Sequence, residues 1–232
     1  MRITAALVFA TAATSALASF KTHHQTPLIP STSNTEAEVV RKALIKSSII
    51  PEVLDDFTPK CFIAASYSKG AKTYQGIVDL GNDFKPEETK QRPHLSISCP
   101  EGLETKGLVV ALTDPDAKSR DDPKWSEMCH WIYVVPTGFQ TAAGAAMDIT
   151  IPTSVFEGRD LVDYKPPGPP PKTGYHRYVF VVLVGDTTNI TAPEERRHWG
   201  TGKVRRGVRD WAGKQGLQVI GANWFVEEDE EQ

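Results

Sequence analysis

The sequence predicts a mostly β domain, an antiparallel β-sandwich with a few peripheral helices near its two ends. Three observations carry that expectation. From Lys60 onward, short runs of β-branched and aromatic residues recur. Gly-, Pro- and Asn-containing turns separate them, and helical apolar spacing is confined to one segment before them and one near the end. The chain has 232 residues, a length that suits one well-buried domain, placed at 33–232 with an acidic C-terminal tail.

Taken in order, Arg2, the apolar run Ile3–Ala13 and the small residues ending Ala16-Leu17-Ala18 have the layout of a secretory signal peptide, residues 1–18. A mitochondrial presequence would want more arginine and an amphipathic stripe. The run is too short to span a membrane, and no other stretch is apolar enough, so no transmembrane segment is expected. The expected location is the secretory pathway, either secreted or vacuolar. Residues 19–32, polar and carrying His23 and His24, read as a flexible linker. Ser33 and Glu36 then have capping-box spacing, Val39, Val40, Ala43 and Leu44 recur at helical intervals, and Pro51 closes that helix.

Strands are expected at Cys61–Tyr67, Gly76–Leu80, Leu95–Ser98, Gly107–Thr113, Trp131–Pro136 and Tyr175–Val184. Gly70, Gly81-Asn82 and Pro100-Glu101-Gly102 supply turns, and Thr141–Ala146 reads as surface loop. A helix over Gly202–Gly216 follows, with Val204, Val208, Trp211 and Ala212 as its stripe and Gly216 at its left-handed cap. A last strand, Leu217–Val226, completes the domain.

Lys and Arg number 26 against 29 Asp and Glu, a net charge of -3, which argues against a nucleic-acid binder. The basic stretch Lys203, Arg205, Arg206, Arg209 and the acidic run Glu227–Glu231 read as solvated surface. There are 3 cysteines, so at most one internal disulfide forms. Cys61 and Cys99, both in strand-like segments, are the better-placed pair, and free buried cysteine is an equally good reading. Asn189-Ile190-Thr191 is an N-glycosylation sequon. No metal-ligand spacing and no cofactor motif is found.

Two segments place polar groups where a strand-rich fold would place apolar ones. In Leu112–Arg120, Asp114 and Asp116 lie at the mouth of a strand, with Pro115 restricting the backbone between them. His130 begins the next strand, where alternation puts His130, Ile132 and Val134 on one face. In Pro166–Tyr178 a stiff proline run carries Gly168 and Gly174, whose amides could face an anion, and His176 and Tyr178 share a strand face. Two carboxylates, two histidines, a tyrosine and a glycine-bounded loop suit an anion site, because a carboxylate beside an imidazole raises its basicity. Each element also has a plainer reading: a histidine in a strand is ordinarily a hydrogen-bonded core residue, and a Pro-Gly run ordinarily a loop.

The run Leu112-Thr113-Asp114-Pro115-Asp116-Ala117, with Ser119-Arg120, Asp122-Pro123 and His130-Trp131, resembles the first signature of the phosphatidylethanolamine-binding protein family. Gly168-Pro169-Pro170 through Gly174-Tyr175-His176-Arg177-Tyr178 resembles its second. Trp199-Gly200-Thr201-Gly202-Lys203 and Gly221-Ala222-Asn223-Trp224-Phe225 are similar to fungal members, including the carboxypeptidase Y inhibitor type. The resemblance implies a sandwich with helices at one end. It implies an anion pocket formed by Asp114, His130, Gly168 and Tyr178, with His176 and Asp116 beside them and Trp125 at the rim. The sequence departs from the pattern at Lys118 (usually proline), at Cys129 (a second histidine in many members) and at Pro171-Lys172 (usually Lys-Gly). The segment Thr137–Pro166 is longer than in short animal forms.

What the resemblance implies about function is a binding module for a phosphate or phospholipid head group, with a serine carboxypeptidase as an inhibited partner. An alternative, from related secreted proteins in fungal secondary metabolism, is an accessory role in joining maleic anhydride units. A dicarboxylate or anhydride would then occupy the pocket, with His130 or His176 as general base. A hydrolase built on Ser119 is the weakest reading, because that serine lacks a nucleophile elbow.

Overall fold

The computed structural model describes residues 34–68, 75–100, 103, 107–136, 147–151 and 158–231. The expected signal peptide, the linker, Ser33, the turn residues Gly70, Glu101 and Gly102, and the loop Thr141–Ala146 lie outside the described residues.

Helix α1 spans Asn34–Lys46, and a helical turn, α2, spans Ile49–Glu52. Pro51 sits inside that turn and does not close the helical region; the chain breaks earlier, where Ser48 takes φ 59°. The strands are β1 (Phe62–Ser68), β2 (Gln75–Ile77), β3 (Asn82–Phe84), β4 (His94–Cys99), β5 (Leu108–Asp114), β6 (Met128–Val134), β7 (Met147–Ile151), β8 (Arg159–Val162), β9 (His176–Val184) and β10 (Gln218–Glu227). Helix α3 spans Gly207–Lys214, between β9 and β10.

One sheet has the order β2-β1-β4-β7 and the other β3-β10-β9-β5-β6-β8. Pairing is antiparallel except at the edge, where β3 runs parallel to β10. Three strands escaped the sequence reading. β3 and β8 are edge strands of 3 and 4 residues, too short to display a period, and β7 and β8 fall in the segment 137–166 for which no strand was expected.

Alternation along the strands builds two cores. Ile63, Ala65, Leu95 and Ile97 of the smaller sheet meet Val110, Leu112, Tyr178, Phe180 and Phe225 of the larger one. On the other face of the larger sheet, Val109, Ala111, Val179 and Val181 pack against Leu44, Ile49, Leu54, Val208 and Trp211 from the helical segments. Both faces of β5 and β9 are therefore covered, which is why their sequences are continuously apolar. The helices lie over a sheet face, where the resemblance implied one end.

Helix α3 starts at Gly207, not Gly202, and Val204 is exposed, outside the apolar stripe. Its remaining stripe residues, Val208, Trp211 and Ala212, are buried, and Gly216 takes φ 69° just past the end. In the basic stretch Lys203 and Arg206 are exposed, as expected, while Arg205 and Arg209 are half-buried and paired, Arg209 with Asp55 and Arg205 with Glu52 and Asp116. Cys61 and Cys99, flanking the β1·β4 pair, are joined with S–S 1.99 Å, and Cys129 is free and buried. No helix among the described residues is long and apolar enough to cross a membrane.

Candidate functional site

Antiparallel pairing brings the polar residues together. β5 and β10 end where β6 and β9 begin, so Asp114, His130, His176 and Glu227 lie at one end of the six-stranded sheet. His176 and Tyr178 lie on the same face of β9 as the inter-sheet core, as their spacing predicts. His130 reaches that face by a different route. The β5·β6 register passes from Leu112↔Trp131 to Thr113↔Cys129, leaving His130 as the extra residue of a bulge. Simple alternation would have put His130 with Ile132 and Val134 against the helices. The bulge turns it instead edge-on to the Tyr178 ring, with centroids 5.3 Å apart. Cys129 takes the helix-covered side, so the departure from the family pattern at that position does not line the site.

Asp114 is 3 % exposed. Its Oδ1 accepts the Asp116 N–H at 2.7 Å, and its Oδ2 lies 2.9 Å from His176 Nδ1. Burial works against charging His176, but the bond to Asp114, with the fields of Asp114, Asp116 and Glu227, outweighs it and holds the pKa above the ordinary value. His176 Nε2 lies 3.0 Å from the Thr173 hydroxyl, which in turn donates to Pro170 O at 2.6 Å. The ring thus ties the proline loop to the end of β5. His130 differs: Nδ1 donates to Lys165 O at 2.8 Å, and burial, only partly offset by Asp114, lowers its pKa.

The Gly168 N–H donates to the Tyr178 hydroxyl at 3.3 Å, so this amide is engaged by the protein and not left open for an anion. Packing does not require glycine there, since a Cβ at Gly168 would meet nothing within 4 Å. Burial drives the Tyr178 pKa well above its usual value, with Asp114 and Glu227 adding to it, so the hydroxyl stays protonated.

Of the expected site residues, Asp116 is committed to Arg177. Asp116, 0 % exposed, accepts from Arg177 Nε at 2.8 Å, Nη2 at 2.7 Å and the Arg177 backbone N–H at 3.0 Å. Burial raises its pKa, but those bonds win and the group stays below the ordinary carboxylate value. Arg177 also donates to Ser47 O and Glu52, so Asp116 anchors the helical segments and does not face a ligand. Trp125 is half-buried with Arg197 4.3 Å over its ring and Lys118 and Lys124 each at 5.9 Å, a cationic platform in the loop before β6.

Glu227 escaped the sequence reading, which left it in a solvated tail. It is 0 % exposed and stands opposite His176 in the β9·β10 register. One oxygen accepts from Thr89 Oγ1 at 2.8 Å, and the other, also buried, makes no hydrogen bond. Burial pushes this carboxyl up to about 7, with Asp114 and Glu87 adding to the shift. The signal that could have found it is its even spacing from Phe225, which puts both residues on the inward face. Two surface cavities, about 590 Å³ beside Arg41 and Phe57 and about 250 Å³ beside Trp199 and Trp211, contain none of these residues. No group of three or more metal-ligating side chains occurs among the described residues. The sequon residue Asn189 is exposed, while Ser119 lies in an exposed turn where its hydroxyl accepts the Asp122 N–H at 3.0 Å.

Protein YLR179C of Saccharomyces cerevisiae is 34% identical over 161 residues, 66% of this chain and 76% of its own. The carboxypeptidase Y inhibitor of the same yeast is 27% identical over 206 residues, 79% of this chain and 92% of its own. The crystal structure of carboxypeptidase Y inhibitor complexed with the cognate proteinase superposes with TM-score 0.69 at 26% identity, covering 84% of this chain and 97% of that one. The family model for phosphatidylethanolamine-binding protein matches residues 56–225, a span holding both signatures and nearly every strand above. The chain belongs to the phosphatidylethanolamine-binding protein family.

Proposed function

We propose that this protein is a binding module that holds a small phosphate-bearing anion at the sheet end and inhibits a serine carboxypeptidase of the secretory pathway. The observation that carries the anion part is the convergence of Asp114, His130, His176 and Tyr178 beneath the Gly168 loop. That cluster has hydrogen-bonding groups fixed by second partners, as a preorganised polar site requires. The similarity to the carboxypeptidase Y inhibitor, extending over 92% of that protein, supports the inhibitory part and the secretory or vacuolar location.

The anion reading is tested by titrating the protein with phosphoethanolamine and with maleate while following the ring protons of His130 and His176 by NMR. Saturable shifts with phosphoethanolamine, lost in a His176→Ala variant, are expected. A preference for maleate would favour the anhydride-joining role instead, and no shift with either ligand would remove the pocket from the account. Inhibition is tested separately: carboxypeptidase activity that stays undiminished at a molar excess of this protein would sink that half of the proposal.

A further inference from the structure

The donors and acceptors of the site can be counted proton by proton, and the count narrows the ligand. The starting point, that the site takes a phosphate-bearing anion, is the reading proposed above. Thr173 has a single hydroxyl proton, and Pro170 O, 2.6 Å away, can only accept it. The Thr173 oxygen therefore accepts from His176 Nε2 at 3.0 Å, while His176 Nδ1 donates to the Asp114 carboxylate at 2.9 Å. Both N–H groups of His176 are used inside the protein, and neither is left for a ligand.

His130 has the opposite pattern. Lys165 O can only accept, so the proton sits on Nδ1, and Nε2 makes no hydrogen bond to any described residue. A second proton on this ring is opposed by its burial and by the nearby Lys165 and Arg196 charges, although Asp114 works in its favour. In the neutral ring Nε2 is an acceptor. Tyr178 accepts the Gly168 N–H at 3.3 Å, which leaves its own O–H free to donate.

The site therefore offers a ligand one acceptor and one donor on two edge-to-face rings. We infer that it selects phosphate monoesters over phosphodiesters, the monoester donating its P–O–H to His130 Nε2 and accepting the Tyr178 hydroxyl on an anionic oxygen. A diester has no proton to give. It would set an anionic oxygen against the His130 lone pair unless the buried ring took up a proton from water.

Methyl phosphate and dimethyl phosphate, titrated at pH 6, isolate that one proton, since the monoester's second pKa lies close to that pH. Methyl phosphate is expected to bind at least about tenfold more tightly, the cost of leaving a buried acceptor facing an anion. Saturation by both compounds with equal affinity, or with the diester favoured, would overturn the inference while leaving the anion reading in place. Saturation by neither would overturn both. A His130→Gln variant, whose amide can donate as well as accept, should close the gap to within about threefold. A variant that still discriminates tenfold would show that His130 is not the selecting group. Vesicles of phosphatidic acid in phosphatidylcholine, against phosphatidylcholine alone, separate the two sources. Capture assigns the monoester to a lipid, and methyl phosphate binding without capture assigns it to a soluble ligand.

Discussion

At the scale of single residues, the site sets two carboxyls around one imidazole: Asp114 is bonded to His176, and Glu227 stands across from it with an unsatisfied oxygen. Glu227 is charged at a cost, so its carboxyl is raised from 4.5 to about 7 in the folded protein. A group raised on folding stabilises the protein fully below its unfolded pKa, and that contribution is lost as pH climbs through the folded value. The window here is pH 4.5 to 7. Glu227→Gln imitates the protonated form, so at pH 8 the variant should exceed the parent by about 3 kcal/mol, with almost no difference at pH 4.5. Urea unfolding at the two pH values measures this, and an equal gap at both would assign the effect to packing.

Elements are held in register by contacts that cross between them. Glu127, at the head of β6, is 0 % exposed and accepts the Gly207 N–H at 2.8 Å, the Val208 N–H at 3.2 Å and the Thr113 hydroxyl at 3.0 Å. It caps α3 from the residue just before β6, which explains why this helix begins at Gly207. Glu127→Ala should cost about 2–3 kcal/mol, since it uncaps two amides at the start of α3. Loss of far-UV helical signal together with a lowered unfolding midpoint would register it. The proline loop has its own constraint. Lys172, where the family usually has glycine, takes φ 62°, and its N–H donates to Glu231 O at 2.9 Å. Lys172→Gly should raise stability by about 0.5–1 kcal/mol, the left-handed penalty less the extra entropy of glycine, read from the denaturant midpoint.

The whole molecule is clasped at Arg177, which joins the second signature to the first through Asp116 and to the helical segments through Ser47 O and Glu52. Removing this guanidinium takes both close side-chain bonds from buried Asp116 and leaves it the backbone N–H of residue 177 and the longer 3.5 Å contact with Arg205. Arg177→Met should therefore cost roughly 3–5 kcal/mol, against near-neutral replacement of an exposed arginine such as Arg120. Equilibrium unfolding of the two variants makes that comparison. The clasp also explains why two adjacent signature residues part company: His176 turns toward the site and Arg177 toward the helices, because neighbouring strand residues point to opposite faces.

The sequence alone determined which runs become the long strands, where α1 and α3 fall, and the likeness of two signatures to one family, because periodicity and motif spacing are local properties. It also determined that His176 and Tyr178 share a face, since only a regular strand separates them. The tertiary structure decided the rest of the site. The direction of His130 depends on a bulge set by pairing with β5, which no period within Met128–Val134 reveals. Glu227 is buried where Thr89 bonds it and His176 stands opposite it, and the acidic residues that follow it in sequence mask the inward alternation set by Phe225. Asp116 and the Gly168 amide looked available because nothing near them in sequence claims them. Their partners, Arg177 and the Tyr178 hydroxyl, are brought within hydrogen-bonding distance only by folding, the step that turns a set of polar residues into committed donors and acceptors.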